Sequence, residues 1–383
     1  MRISALSAVF LILVACTGEK SVNQKITTEL DNYLSQQFSP DEPGGAILLM
    51  KGDSILFSKG FGLSDLKTKD PVTTNTLFNL GSISKTFVAN GILVLQQQGK
   101  LSLEDSLYKF FPHFKNKTIA QTIKVKHLLT HTSGLPDIRD VQKDTAFFLT
   151  AKDEENWYPV TQTDSLLFEP GSQFEYSNPA FNGLALIIEK VSGMKWQQSV
   201  SENIFKPSGM NTSTITDGPH PDSGVSHAYV KNKGDWTEDD YGEEPTFAAA
   251  GNGGVWSSVE ELAKYEKALW RSTFLPKETI DDSRSAKHFQ NWKGTIPFAA
   301  SWSWFTPRRE GNTYLPIVGW SWFVTTTPSG AKMVGHTGSQ GGFLCNYVSI
   351  PETQLFFVIL CNSPRDINGM SNKLMEVVES YGL

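Results

Sequence analysis

Apolar runs of strand length crowd the two ends of this chain and are scarce between them, a distribution that limits the possible folds more than any other feature. Near the start, GGAILLMKGDSILFSKGFG carries two such runs split by Lys51-Gly52-Asp53 and reads as a β-hairpin. The last third returns to strands in GWSWFVTTTP, AKMVGHTGS, GFLCNYVSI and LFFVILCNS. From about 103 to 245, helical segments alternate with loops rich in Pro, Gly and Asp, with GLALIIEKVSG the clearest helix. Further helices are expected over 24–38, over KTFVANGILVLQQQGK (apolar almost all round, ending near Gly99), over ELAKYEKALW with Ser257 or Ser258 as cap, and over the terminal INGMSNKLMEVVESY. Both strand sets bury their apolar faces most simply in one antiparallel sheet built from the two chain ends and covered by helices. The expected class is therefore α+β. Its sheet-forming parts run over about 24–85 and 250–383, and a mainly helical insert covers about 86–249. A cleft between sheet and insert is the natural place for a site.

The chain has 383 residues, enough for a full core, and 34 basic against 40 acidic side chains give a formal charge of −6. With no dense Lys/Arg run, nothing points to nucleic acid as a partner, and no obligate protein partner is implied. MRISALSAVFLILVACTGEK opens with Arg2, continues with an apolar run of about 13 residues, and ends in Ala15-Cys16. A bilayer span needs about 20 residues, so the run reads as a signal peptide over 1–15 followed by a tether over 16–23. Leu-x-Ala before a cysteine resembles the lipobox of bacterial lipoproteins. That resemblance implies a lipid on Cys16 and a cell-envelope location on the periplasmic or extracellular face, on a membrane the sequence does not specify.

Cys345 and Cys361 remain, flanking a strand pair that turns around Pro351-Glu352-Thr353. A hairpin centred on Thr353 sets the two cysteines opposite each other; a disulfide is open to them, with two buried thiols the favoured reading. SWSWF (301–305) and GWSWF (319–323) are more aromatic than a core requires and are suited to lining a cleft. His127 and His131 stand four apart, but HLLTH lacks the glutamate of H-E-x-x-H and a third ligand, so both read as structural histidines and no metal is expected.

FNLGSISKTF puts Ser82 and Lys85 three apart at the start of the apolar helix, on one face. Read alone, this is either a helix cap or a nucleophile whose proton goes to a lysine made neutral by burial and nearby positive charge. The unpaired N–H groups of a helix start suit a developing oxyanion. Ser84 points elsewhere and reads as the structural serine.

FNLGSISKTF also resembles the first motif of the penicillin-recognising serine hydrolases, the class C β-lactamase-related family. Tyr176-Ser177-Asn178 in EYSNPAFNG is similar to its second motif and His336-Thr337-Gly338 in MVGHTGSQGGF to its third, while HLLTHTSGLPD and GNGGVWSSVEELAKY resemble two further family stretches. The motifs fall in family order across nearly the whole chain after the signal. The resemblance implies a β-lactamase/transpeptidase-like fold and a serine hydrolase that needs no cofactor. In it Ser82 attacks, Lys85 and Tyr176 handle the proton, Asn178 offers its amide to the substrate and its carbonyl to Lys85, and Ser339 N–H joins Ser82 N–H as an oxyanion hole. Tyr176 is expected to have a phenol pKa depressed by Lys85, and Gly338 to let substrate approach the backbone. Relatives of β-lactamase type carry lysine where His336 stands. A mostly neutral histidine weakens recognition of a free carboxylate, and His336→Lys is expected to restore it. The implied substrate is a small peptide or a peptide containing D-amino acids; an esterase, a true β-lactamase acting on β-lactam-like substrates and a non-catalytic binder of peptidoglycan fragments stand as alternatives.

Overall fold

The two chain ends do form one sheet. The computed structural model describes residues 22–139, 145–239, 247–293, 309–310, 313–314, 317–327 and 329–383. Residues 1–15, Cys16 with most of its tether, and the 301–305 aromatic cluster lie outside them. Helix α1 (22–34) leads into strands β1 (Gly45–Lys51) and β2 (Ser54–Phe61). The C-terminal third supplies β3 (Phe323–Thr326), β4 (Lys332–Gln340), β5 (Phe343–Ile350) and β6 (Leu355–Cys361), then helix α2 (Ile367–Ser380). The sheet order is β3-β4-β5-β6-β1-β2, antiparallel throughout, with Ile47 opposite Ile359 where the two chain ends meet.

Strands β1 and β6 are apolar on both faces because both faces are covered. Ala46, Leu48, Met50, Phe356, Val358 and Leu360 face one core; Ile47, Leu49, Phe357 and Ile359 face the other. The second core is closed by Ile26, Leu30 and Leu34 of α1 and by Leu374 and Val377 of α2, which recur at helical spacing on one side of each helix. In the first lies helix α3 (Ser84–Gln97), whose residues are buried from Ser84 to Leu95. Each fully buried Phe, Leu, Ile or Val contributes about 1.5–3 kcal/mol, so this helix is fixed by packing on all sides and not by amphipathicity. Against it packs α4 (Asn178–Ser192), capped at its start by Ser177 and at its end by left-handed Gly193. Helix α5 (Val259–Trp270) is capped by Ser258, which accepts from Glu261 N–H at 3.3 Å.

Three expectations need correction. Cys345 pairs with Leu360 and Cys361 with Leu344, because a 3-10 turn over Pro351–Thr353 with left-handed Gln354 centres the hairpin between Glu352 and Thr353. Side chains alternate along a strand, so this shift of one residue sends the thiols to opposite faces, and both are free and buried. Burial pushes both thiols up, Cys361 to about 12. The strand expected from Gly319 begins only at Phe323, since Ser321 takes φ 71°. Trp320 and Trp322 do not line a cleft. They are core residues: Trp320 Nε1 donates to Asp282 at 2.7 Å, and Trp322 lies under the Arg284 guanidinium and against Tyr347.

Candidate active site

The turn before α3 is built by its own polar side chains. Gly81–Ile83 form a 3-10 turn, Asn79 Oδ1 accepts from Gly81 N–H at 2.8 Å, and Leu80 N–H donates to the Val255 carbonyl at 2.9 Å. Ser84, fully buried, accepts from Val255 N–H at 3.0 Å, which makes it the structural serine expected. Ser82 is left half-buried on the open side.

Two glycines let this turn press against β4. A Cβ on Gly338 would lie 2.0 Å from the Leu80 carbonyl oxygen, and one on Gly81, at φ +49°, would lie 2.7 Å from Ser339 N. Gly338 therefore admits the backbone of the turn that carries Ser82. The same contact brings the backbone nitrogens of Ser82 and Ser339 to one corner, with the Ser339 side chain exposed and Thr337 half-buried beside it.

Lys85 Nζ lies 3.0 Å from Ser82 Oγ and donates to the Asn252 carbonyl at 2.8 Å. Burial pushes the Lys85 ammonium well down and the Arg139 charge adds to that, which favours the neutral amine. The Tyr176 hydroxyl, enclosed although its ring is half-buried, lies beside the Ser82 side chain, and the ring passes 5.3 Å from Lys85 Nζ. Burial pushes this phenol up, with the Ser82 hydroxyl beside it offsetting only part of that. The expected depression does not occur because the lysine that was to cause it is itself driven toward neutrality.

Asn178 opens α4, half-buried, but Lys85 does not reach its side chain; the Asn252 carbonyl takes that bond. His336 is fully buried on β4 and its Nδ1 donates to the Thr337 carbonyl at 2.6 Å. Burial, then the Lys85 charge, bring its pKa down to about 3, so the ring is neutral through the physiological range. Phe323 packs 5.1 Å from it, in a small apolar cluster that also holds the Tyr176 ring.

Two residues of the site were not singled out from the sequence. Asn252 acts through its main chain, which no side-chain pattern announces. His131, read as merely structural, stacks on Tyr176 with centroids 4.3 Å apart, and its Nδ1 accepts from Ser177 N–H at 3.0 Å. It does so in the left-handed region, at φ +56°. The signal available was its position in HLLTHTSGLPD. His127 matches the structural reading: Nδ1 accepts from Lys124 N–H at 3.1 Å, and burial takes its pKa down to about 4.

Residues 24–378 match the family described as Beta-lactamase. Penicillin-binding protein 4* of Bacillus subtilis (strain 168) is 28% identical over 341 residues, 84% of this chain and 68% of that protein. Protein flp of Staphylococcus aureus (strain MW2) is 32% identical over 194 residues, covering 50% of this chain and only 38% of its own length. Among solved structures, the octameric penicillin-binding protein homologue from Pyrococcus abyssi superposes with a TM-score of 0.75 at 25% identity, over 93% of this chain and 77% of that one. The D-amino acid amidase from Ochrobactrum anthropi SV3, complexed with L-phenylalanine amide, has the same fold at TM-score 0.72 and 21% identity, over 95% of this chain and 100% of that one. The chain belongs to the beta-lactamase family, a family of serine hydrolases.

Proposed function

We propose that this hydrolase cleaves amide or ester bonds in small peptides, with D-amino-acid-containing peptides and amides the favoured class, through an acyl-enzyme on Ser82. The observation that carries the reading is the sharing of Ser82 by Lys85, 3.0 Å away and driven toward neutrality, and by the Tyr176 hydroxyl, which burial keeps protonated. In this reading Lys85 takes the Ser82 proton as the Oγ–C bond forms. The oxyanion rests between the N–H groups of Ser82 and Ser339, and the leaving nitrogen or oxygen departs with a proton passed through Tyr176. Water then attacks the acyl group along the same path and Ser82 is restored. Asn178, half-buried at the mouth of α4, is the side chain offered to the substrate carbonyl.

His336 supports the choice of substrate. A fully buried neutral ring supplies no cation for a carboxylate, so weak turnover of penicillins and D-Ala-D-Ala termini is expected, and better turnover of amides and esters without one. The fold is shared with the D-amino acid amidase and with a D-stereospecific amidohydrolase from Streptomyces sp., which favours peptide or amide substrates within that range. The test is labelling with a fluorescent phosphonate, located by peptide mass mapping, followed by kcat/KM for matched free-acid and amidated D-peptides. Label on Ser82, abolished in Ser82→Ala and kept in Ser84→Ala, is expected; label on Ser84 would overturn the assignment. We also propose that Cys16 carries a lipid that tethers the enzyme to the cell envelope. Among the described residues no helix is long and apolar enough to cross a membrane. Mass analysis of the mature N-terminus checks this, with an unmodified residue other than Cys16 as the contrary result.

A further inference from the structure

Behind Lys85 lies a buried carboxylate that the mechanism above does not use. Asp153 opens a short helix over Asp153–Thr161 but does not cap it; Glu155 accepts the Lys152 N–H at 2.9 Å, and the Asp153 side chain turns into the core. Three donors converge on it. Gly251 N–H (2.8 Å) and Asn182 Nδ2 (2.6 Å) meet Oδ1, and Trp196 Nε1 (2.8 Å) meets Oδ2. An ionised carboxylate only accepts, so the Asn182 amide must turn its nitrogen to Asp153 and its oxygen the other way. That oxygen accepts from Asn252 Nδ2 at 3.0 Å, and the carbonyl of the same Asn252 accepts from Lys85 Nζ at 2.8 Å.

We propose that Asp153 is a positioning residue for Lys85, acting through a one-way chain of hydrogen bonds by way of Asn182 and Asn252. The proposal rests on the reading of Lys85 as the base. A neutral amine has two N–H bonds and one lone pair. Fixing one N–H on the Asn252 carbonyl limits where the lone pair can point, and Ser82 Oγ is the neighbour at 3.0 Å. The carbonyl is held from two sides, by the Asn252 side chain and by the Gly251 N–H one residue earlier, and both holds end on Asp153. A carboxylate serving only to tie helices together has no need of this route to a reacting group.

Burial pushes the Asp153 carboxyl up to about 6 against the pull of its three N–H bonds, and Glu189 on α4 raises it further. The groups facing it are Asn182 and Glu189 of α4, Gly251 of the 250–253 turn and Trp196. Once protonated, Asp153 presents an O–H of its own to a pocket of three N–H donors, so turnover is expected to fall as the pH drops through about 6.

The test uses full-chain protein labelled with 13C-lysine, with the Lys85 Cε resonance assigned by Lys85→Arg and titrated by NMR without substrate. In Asn252→Ala and Asp153→Asn the carbonyl is released from its hold. The ammonium then loses a fixed acceptor, and the Lys85 midpoint is expected to fall by about one pH unit. Turnover of an amide or ester substrate should fall about 10- to 100-fold with KM little changed. Leu374→Ala, in the opposite core, is the control: it should lower the Tm and leave the midpoint where it is. If Asp153→Asn does not fold, Asn252→Ala carries the measurement. An unmoved midpoint in the folded variants, or an equal movement in Leu374→Ala, would overturn the relay. The midpoint is read in the absence of turnover, so this failure is separate from a failure of the Ser82 assignment, which the phosphonate labelling decides.

Discussion

At the scale of single residues, the site is arranged by withholding charge. Lys85 and His336 are driven toward their neutral forms by the same burial that keeps Tyr176 protonated, so one environment leaves the amine a lone pair and the phenol its proton. His336 therefore cannot set an acid limb near pH 6: its pKa of about 3 leaves it uncharged there, and His336→Gln should keep any such limb at the wild-type pH. His336→Lys, expected from the sequence to favour carboxylate substrates, would instead bury an ammonium beside Lys85 and the Phe323 ring. A lower Tm without a gain for free-acid peptides is now the expected result. His131 makes a sharper case. Asparagine tolerates its left-handed backbone and can accept the Ser177 N–H, but it removes the ring beneath Tyr176. His131→Asn should lose about tenfold in kcat with little change in KM or Tm, whereas His131→Ala should lose stability as well.

At the scale of elements, the contact between the Gly81–Ile83 turn and β4 has almost no tolerance. Gly338→Ala would put a methyl group 2.0 Å from the Leu80 carbonyl oxygen, backbone against backbone, so turn and strand must separate. Loss of phosphonate labelling and a lower Tm are expected together. Much of this level was legible in the sequence, because strand alternation and helix caps are local. The hairpin of β1 and β2, the all-round apolar α3, the Ser258 cap and the terminal helix all stand where patterning put them. The phase of the β5–β6 turn was not legible, since a single left-handed Gln354 decides it, nor was the kink at Ser321. The motif residues announced the site itself. Its second layer was hidden because Asn252 acts through a carbonyl and Asp153 through partners 29 to 98 residues away.

Across the whole molecule, a buried ion pair ties helix, loop and sheet together. Arg284 donates to both oxygens of Glu266 on α5, at 2.7 and 2.6 Å, while Tyr347 and Ser349 of β5 donate to the same carboxylate. Burial by itself would raise Glu266, but the Arg284 charge and these hydrogen bonds overcome it and hold the carboxyl below its ordinary value. Its folded pKa thus lies below the unfolded one, so its contribution is complete above the unfolded value and is lost as the pH falls through the folded one. Glu266→Gln leaves Arg284 buried without its counter-charge and should cost about 3–5 kcal/mol in denaturant unfolding at pH 7. That gap from wild type should narrow in acid.

The shift of one residue that parts Cys345 from Cys361 leaves the protein with two built-in clocks. One thiol is sealed in the core that holds α3, the other in the core closed by the first and last helices, with the sheet between them. Neither can react with a disulfide reagent until its own side opens. The two modification rates, separated by peptide mapping, therefore time the breathing of each face, and a ligand bound at Ser82 should slow Cys345 while leaving Cys361 to keep its own pace.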